Sequence, residues 1–156
     1  MQGRLYSTHV APPFSQRQSA AGVTVSEEAK AVYEALRADK KHRYVVYTLT
    51  DKHVIEAETT GGRSATFADF LEKLRQSYTD QCRWIVYDYS TTGEDGTTMD
   101  TKVFINWCPK QANIRQRMIY TSSLDALRKQ LVGISTQVEV SSVEEADDAI
   151  KAALSR

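Results

Sequence analysis

A chain of 156 residues, 41% hydrophobic and 26% charged, is long and apolar enough to build one core and too apolar to stay disordered. Its 20 Lys and Arg are matched by 20 Asp and Glu, so the formal charge is zero, which speaks against a nucleic-acid binder driven by bulk charge. No apolar run approaches the roughly 18 residues of a membrane span. The two cysteines, Cys82 and Cys108, have no CxxC or histidine partner; they read as reduced thiols, with a disulfide or metal site as the alternative.

Residues 1–26 carry no Asp or Glu but include Arg4, Arg17, Pro12 and Pro13, without helical or strand period. They read as a flexible tail, residues 1–20, ahead of one domain over 21–156; a transit peptide is the alternative. The first helix is predicted over 26–38. Ser26 or Thr24 caps it, Glu27 and Glu28 suit its dipole, and Ala29, Val32, Tyr33 and Leu36 make one apolar face. Tyr44-Val45-Val46-Tyr47-Thr48-Leu49 is a buried strand, Asp51-Lys52 a turn, and His53 to Ala57 the returning arm. Gly61-Gly62 reads as a loop. Thr66 then opens a second helix with Phe67, Phe70, Leu71 and Leu74 on one side. Two further strands, Arg83 to Tyr89 and Lys102 to Trp107, flank the polar turn at Gly93 to Gly96. A long helix is expected over 111–131, a last strand over 134–140, and a last helix capped by a Ser142–Glu145 box with Val143, Ala146, Ile150 and Leu154 inward. Hairpins joined by helical crossovers imply an α/β fold, a mixed central β-sheet sandwiched by helices.

Catalytic signatures are missing. There is no phosphate loop, no GxGxxG after a strand, no HExxH and no GxSxG, and His9, His42 and His53 have no neighbouring nucleophile. No enzyme activity and no cofactor or metal are expected. The long helix is the informative segment. Lys110, Arg115, Arg117, Arg128 and Lys129 are cationic, and Asp125 is the only acid among them. Arg115 and Arg117 stand two apart, so one solvated stripe does not account for both. Arg beside Met118 suits a protein interface; a basic solvated helix over Ile114, Met118 and Leu127 is the plainer reading.

Trp107-Cys108-Pro109, Ala112, and the run Ile114-Arg115-Gln116-Arg117-Met118-Ile119-Tyr120-Thr121-Ser122-Ser123-Leu124-Asp125-Ala126-Leu127 resemble the signature of the actin-depolymerising factor (ADF)/cofilin family. Gly22-Val23-Thr24-Val25, Lys40-Lys41-His42-Arg43-Tyr44, Cys82-Arg83-Trp84-Ile85-Val86-Tyr87-Asp88 and Leu131-Val132-Gly133-Ile134 resemble other segments of it. The resemblance spans residues 21–156 and implies an ADF-homology domain of gelsolin-like architecture. Its members bind actin monomers, the ADP form by preference, and filament sides, and they promote severing and depolymerisation. Carried over, the monomer contacts are Gly22, Val23, Arg115, Arg117, Met118, Ser122 and Ser123, with the turn before the last helix. Phosphoinositide headgroups are expected to compete at Lys110, Arg115, Arg117, Arg128 and Lys129. Filament-side contact falls to Lys102, Lys151 and Arg156. The chain departs from the family at Ala21, where relatives carry a regulatory Ser, leaving Ser19 as the nearby phosphate acceptor. It departs again at Leu124, in place of a Lys, and at Met99-Asp100-Thr101-Lys102, where relatives have a basic pair. The resemblance implies a monomeric, cytoplasmic, cytoskeleton-associated protein. A protein of the same fold with a non-actin partner, such as the branch-nucleating complex, is the alternative.

Overall fold

A computed structural model describes residues 22–155; Ser19, the rest of the N-terminal segment and Arg156 lie outside the described residues. In chain order the elements are β1 (Thr24–Val25), α1 (Glu27–Arg37), β2 (His42–Leu49), β3 (Val54–Gly62), α2 (Phe67–Ser77), β4 (Arg83–Thr92), β5 (Thr98–Trp107), α3 (Ile114–Arg128), β6 (Thr136–Val140) and α4 (Val143–Leu154). The strands form one sheet in the order β1-β3-β2-β4-β5-β6. Its middle is antiparallel, and the outer strands β1 and β6 join β3 and β5 in parallel. The fold is therefore α/β with a mixed sheet, as the strand and helix pattern implied.

Helices cover both faces, and the strand period of two sorts the core between them. Val45, Tyr47, Trp84, Val86 and Phe104 pack against Tyr33 and Leu36 of α1 and Tyr120, Leu124 and Leu127 of α3. Their neighbours Val46, Ile85, Tyr87, Val103 and Ile105 pack against Phe70 and Leu74 of α2 and Ala146 and Ile150 of α4. Burial on both faces explains why Tyr44 to Tyr47 is a continuous apolar run. Helices of 11 to 15 residues are marginal alone, so this packing holds them.

Several expectations shift. The strand β1 is only two residues long, too short to show a period, and is held by Thr24 N–H donating to His53 O at 3.1 Å. Gly61 and Gly62 are not a loop but the end of β3. Gly61 lies under the Tyr44 ring, and a Cβ there would sit 2.1 Å from Tyr44 Cε2. The Ser142–Glu145 box does not form; Glu145 Oε1 instead accepts from Ser141 N–H (2.6 Å) and Ser141 Oγ–H (2.9 Å). α3 is shorter than expected, because Asn113 caps it and Pro109 to Ala112 forms a separate turn.

Candidate functional site

α3 is set in place from three directions. Asn113 Oδ1 accepts from Gln116 N–H at 2.8 Å and fixes its first turn. Gln116 Oε1 in turn accepts from Cys82 N–H at 2.5 Å, tying that turn to the head of β4. Farther along, the Tyr120 ring lies 4.4 Å from Trp84, and its hydroxyl accepts from Leu49 N–H at 2.9 Å. At the last turn Arg128 donates to Gln137 Oε1 (3.0 Å) and Ile134 O (3.2 Å) and lies over the Phe104 ring.

The outer face of this helix is unusual for a solvated one. Ile114 and Met118 are 66% and 65% exposed, stand i, i+4 on one stripe, and are two of the four exposed large apolar side chains among the described residues. Arg115 is exposed beside them, and Ser122 continues the surface. The first turn has no acid. A helix N-terminus disfavours cations by a few tenths to about 1 kcal/mol each. Arg115 is therefore kept against the local electrostatics, and it is not needed to fill the core.

The other residues singled out in the sequence divide. Arg117 is half-buried, and its Nε is buried without a hydrogen-bond partner, so it leans toward the sheet. Ser123 is fully buried with its Oγ unpartnered, and Val23 is a core residue at 1% exposure; neither side chain is on the surface. Both support the surface from below. Gly22 is at φ 74°, in the left-handed region glycine favours, where the chain turns into β1 beside α3. Lys110 and Lys129 are exposed, whereas Arg128 is turned inward by its two acceptors, which removes it from an anion-binding face. A shallow cleft of about 240 Å³ adjoins the helix start, lined by Trp107, Pro109, Lys110, Ser142, Val143 and Glu144. It joins the approach to α3 with the turn before α4.

The expected filament residues fare less well. Lys102 is only 15% exposed and faces the fully buried Asp88, with Nζ 3.9 Å from Oδ1. Asp88 also pairs with Arg63 (2.8 Å) and Lys40 (3.6 Å), so three cations surround one carboxylate. The Lys102 charge thus neutralises the interior and is not presented outward. Lys151 is exposed but paired with Asp147 at 2.9 Å, and Arg156 lies outside the described residues. Tyr120 and Gln116, which set the pose of α3, were not singled out from the sequence. Only their polar atoms in an otherwise helical run hinted at such roles.

Among the described residues no group of three His, Cys, Asp or Glu could hold a metal ion, and no helix is long and apolar enough to cross a membrane. Residues 22–155 match the family model described as cofilin/tropomyosin-type actin-binding protein. Cofilin of Mycosarcoma maydis is 36% identical over 118 residues, 76% of this chain and 83% of that protein. Actophorin of Acanthamoeba castellanii is 32% identical over 131 residues, 83% of this chain and 92% of that protein. The crystal structure of Streptomyces griseoflavus cofilin superposes with a TM-score of 0.75 at 29% identity, covering 85% of this chain and 97% of that one. With its sheet order, its two helical layers and the α3 sequence, this chain belongs to the ADF/cofilin family of actin-binding regulatory proteins, which are not enzymes.

Proposed function

We propose that this protein binds monomeric actin, the ADP form by preference, through the first turns of α3. The observation that carries the reading is the exposed Ile114–Met118 pair beside Arg115, on a helix start where neither core packing nor the dipole accounts for them. The apolar pair fills a groove on actin, and Arg115 offers a forked donor to an acidic residue. Arg117, Ser122 and Gly22 flank this contact, and the cleft beside Lys110 accepts a neighbouring part of the partner. Val23 and Ser123 act by supporting it.

In this reading residues 21–156 work as one ADF-homology domain, monomeric and cytoplasmic, with residues 1–20 outside it. Binding to filament sides and change of filament twist promote severing and depolymerisation through differential affinity for two filament states. Phosphoinositide headgroups compete at Lys110, Arg115, Arg117 and Lys129. The test is sedimentation with purified actin, scoring monomer binding and filament binding separately, with ADP and ATP actin compared. Saturable monomer binding lost in Arg115→Ala with Met118→Ala is expected. Binding to neither form of actin would overturn the proposal and direct the search to a non-actin partner.

A further inference from the structure

Cys82 and Cys108, far apart in sequence, meet in the fold. The β4–β5 ladder pairs Arg83 with Trp107 and runs without a register shift to Thr92 and Thr98. One step beyond the first pair places Cys82 opposite Cys108. Directly opposed residues of antiparallel strands have Cα atoms about 4.5–5.5 Å apart, inside the range of about 4.4–6.8 Å that a disulfide spans. Both thiols are free, and their Sγ atoms are 3.3 Å apart. A bond at about 2.05 Å needs the sulfurs to close by little more than 1 Å, within reach of side-chain rotation. These are the chain's only two cysteines, so no third thiol competes.

We propose that Cys82 and Cys108 form a reversible redox switch, closed by a hydroperoxide, that controls the pose of the first turn of α3. Cys108 is half-buried and Cys82 fully buried, so Cys108 reacts first. Burial, then the hydrogen bond with Cys108, push the Cys82 thiol up to about 12, so Cys82 does not meet the peroxide first; in the second step the 3.3 Å approach of the two sulfurs offsets its small thiolate fraction. The Cys108 thiolate attacks the peroxide; one oxygen is transferred, hydroxide leaves, and Cys108 becomes a sulfenic acid. The Cys82 sulfur then attacks Cys108 Sγ and expels hydroxide, which takes up the thiol proton as water. The two thiols lose two electrons in all, and one hydrogen peroxide becomes two waters.

The pair is joined to α3 at both ends. Cys82 N–H donates to Gln116 Oε1 at 2.5 Å, and the Arg117 charge acts on Cys82. Cys108 N–H donates to Val140 O at 3.0 Å and starts the Pro109 turn that leads into the helix. The bond locks the Cys82 and Cys108 side chains together, and whatever small backbone adjustment completes it passes through Cys82 N–H to Gln116 and through the Pro109 turn to the start of α3, which carries Arg115 and Met118. The consequence for actin rests on the proposed monomer contact; the disulfide itself does not.

The test uses the full chain, treated with hydrogen peroxide, alkylated, and mapped by mass spectrometry, beside actin-monomer affinity with and without a thiol reductant. A cross-linked Cys82–Cys108 peptide in a chain of monomer mass is expected, with affinity reduced several-fold and restored by reductant. Cys82→Ser should instead trap a dimedone-reactive sulfenic acid on Cys108. Peptide mapping of the unaltered protein needs no variant, so a misfolded mutant leaves the test intact. Only intermolecular bonds, or sulfinic acid on Cys108 without the cross-link, would overturn the disulfide. A cross-linked protein of unchanged affinity would overturn the switch. A reduced protein that ignores actin would overturn the proposed function while leaving the cross-link measurable.

Discussion

Arg115 and Arg117 look alike in sequence and differ in the fold. Arg115 is exposed on the stripe of Ile114 and Met118, while Arg117 has a buried, unpartnered Nε. The double change to Ala should weaken monomer binding by about 2–4 kcal/mol, the range for desolvated Arg contacts. The single variants should separate: Arg115→Ala binds poorly with unchanged melting temperature, and Arg117→Ala shifts both. Titration calorimetry beside thermal melts checks this, and equal melts for the two would contradict the assignment. Gly61 makes a second case. Its Tyr44 neighbour is confined by Phe70 at 5.0 Å and a stacked Tyr87 at 6.0 Å, so the ring cannot yield to a new Cβ. Gly61→Ala should cost about 2–3 kcal/mol by overpacking. Gly62→Ala meets nothing within 4 Å and should be nearly neutral. Denaturant melts of the two adjacent variants make the comparison.

Elements here are tied together by buried charge as well as by apolar packing. Asp88 on β4 gathers Lys40 from the turn after α1, Arg63 from just past β3 and Lys102 from β5. Removing the carboxylate leaves three cations sharing the single charge of Asp100, which pairs with Lys40 at 3.3 Å and Arg63 at 3.5 Å, so Asp88→Asn should destabilise by about 2–4 kcal/mol. Urea unfolding measures it, and a loss under 0.5 kcal/mol, roughly a surface substitution, would show the cluster to be idle. Glu58 on β3 provides a pH-dependent link. Burial opposes its ionisation, but hydrogen bonds from Arg83 and Tyr78 outweigh burial and hold the carboxyl below its ordinary 4.5. A depressed folded pKa stabilises above the unfolded value, and that contribution is lost as pH falls through the folded one. Stability should therefore drop below pH 4.5, and by less in Glu58→Gln. Melting temperature against pH for the two proteins is the check, and parallel curves would count against the link.

For the molecule as a whole, the two expected actin contacts are unequally charged: Lys110 and Arg115 are exposed around the start of α3. Lys102 is turned onto Asp88, and Lys151 is paired and stands among Glu144, Glu145, Asp147 and Asp148. Filament decoration should be weak and strongly salt-sensitive beside normal monomer binding. Co-sedimentation across a salt series tests this; saturating decoration indifferent to salt would place the filament contact on other residues. Residues 1–19 carry no helical or strand period to bury, and among the described residues the two core layers run from Val23 onward. Deleting residues 1–19 should then leave the melting temperature unchanged, and a lowered one would show that the deleted segment contributes to the packed fold.

How much was legible beforehand follows from range. Helix starts, apolar stripes and the Tyr44 to Tyr47 run are local patterns, so the start of α1 at Ser26 or Thr24, the opening of α2 at Thr66 and the two-sided sheet could be read directly. The α3 signature was long enough to point to the family. Residue roles that depend on which way a side chain turns could not be read, because the period of a helix does not say which stripe meets the sheet. Ser122 and Ser123 are adjacent, yet one is exposed and the other buried. Arg115 and Arg128 share one helix and one charge, yet only Arg128 is claimed by acceptors on the neighbouring segment. Lys102 read as a surface cation until the sheet placed Asp88 opposite it. Cys82 and Cys108 read as two reduced thiols, with a disulfide only as the alternative, because their meeting needs the β4–β5 register. The sequence by itself determined the longer helices and strands and the family, but not the two-residue β1 or the bounds of β3 and α3. Tertiary structure decided which of the marked residues reach a partner and which hold the surface in place, since burial and pairing are properties of side chains brought together from distant parts of the chain.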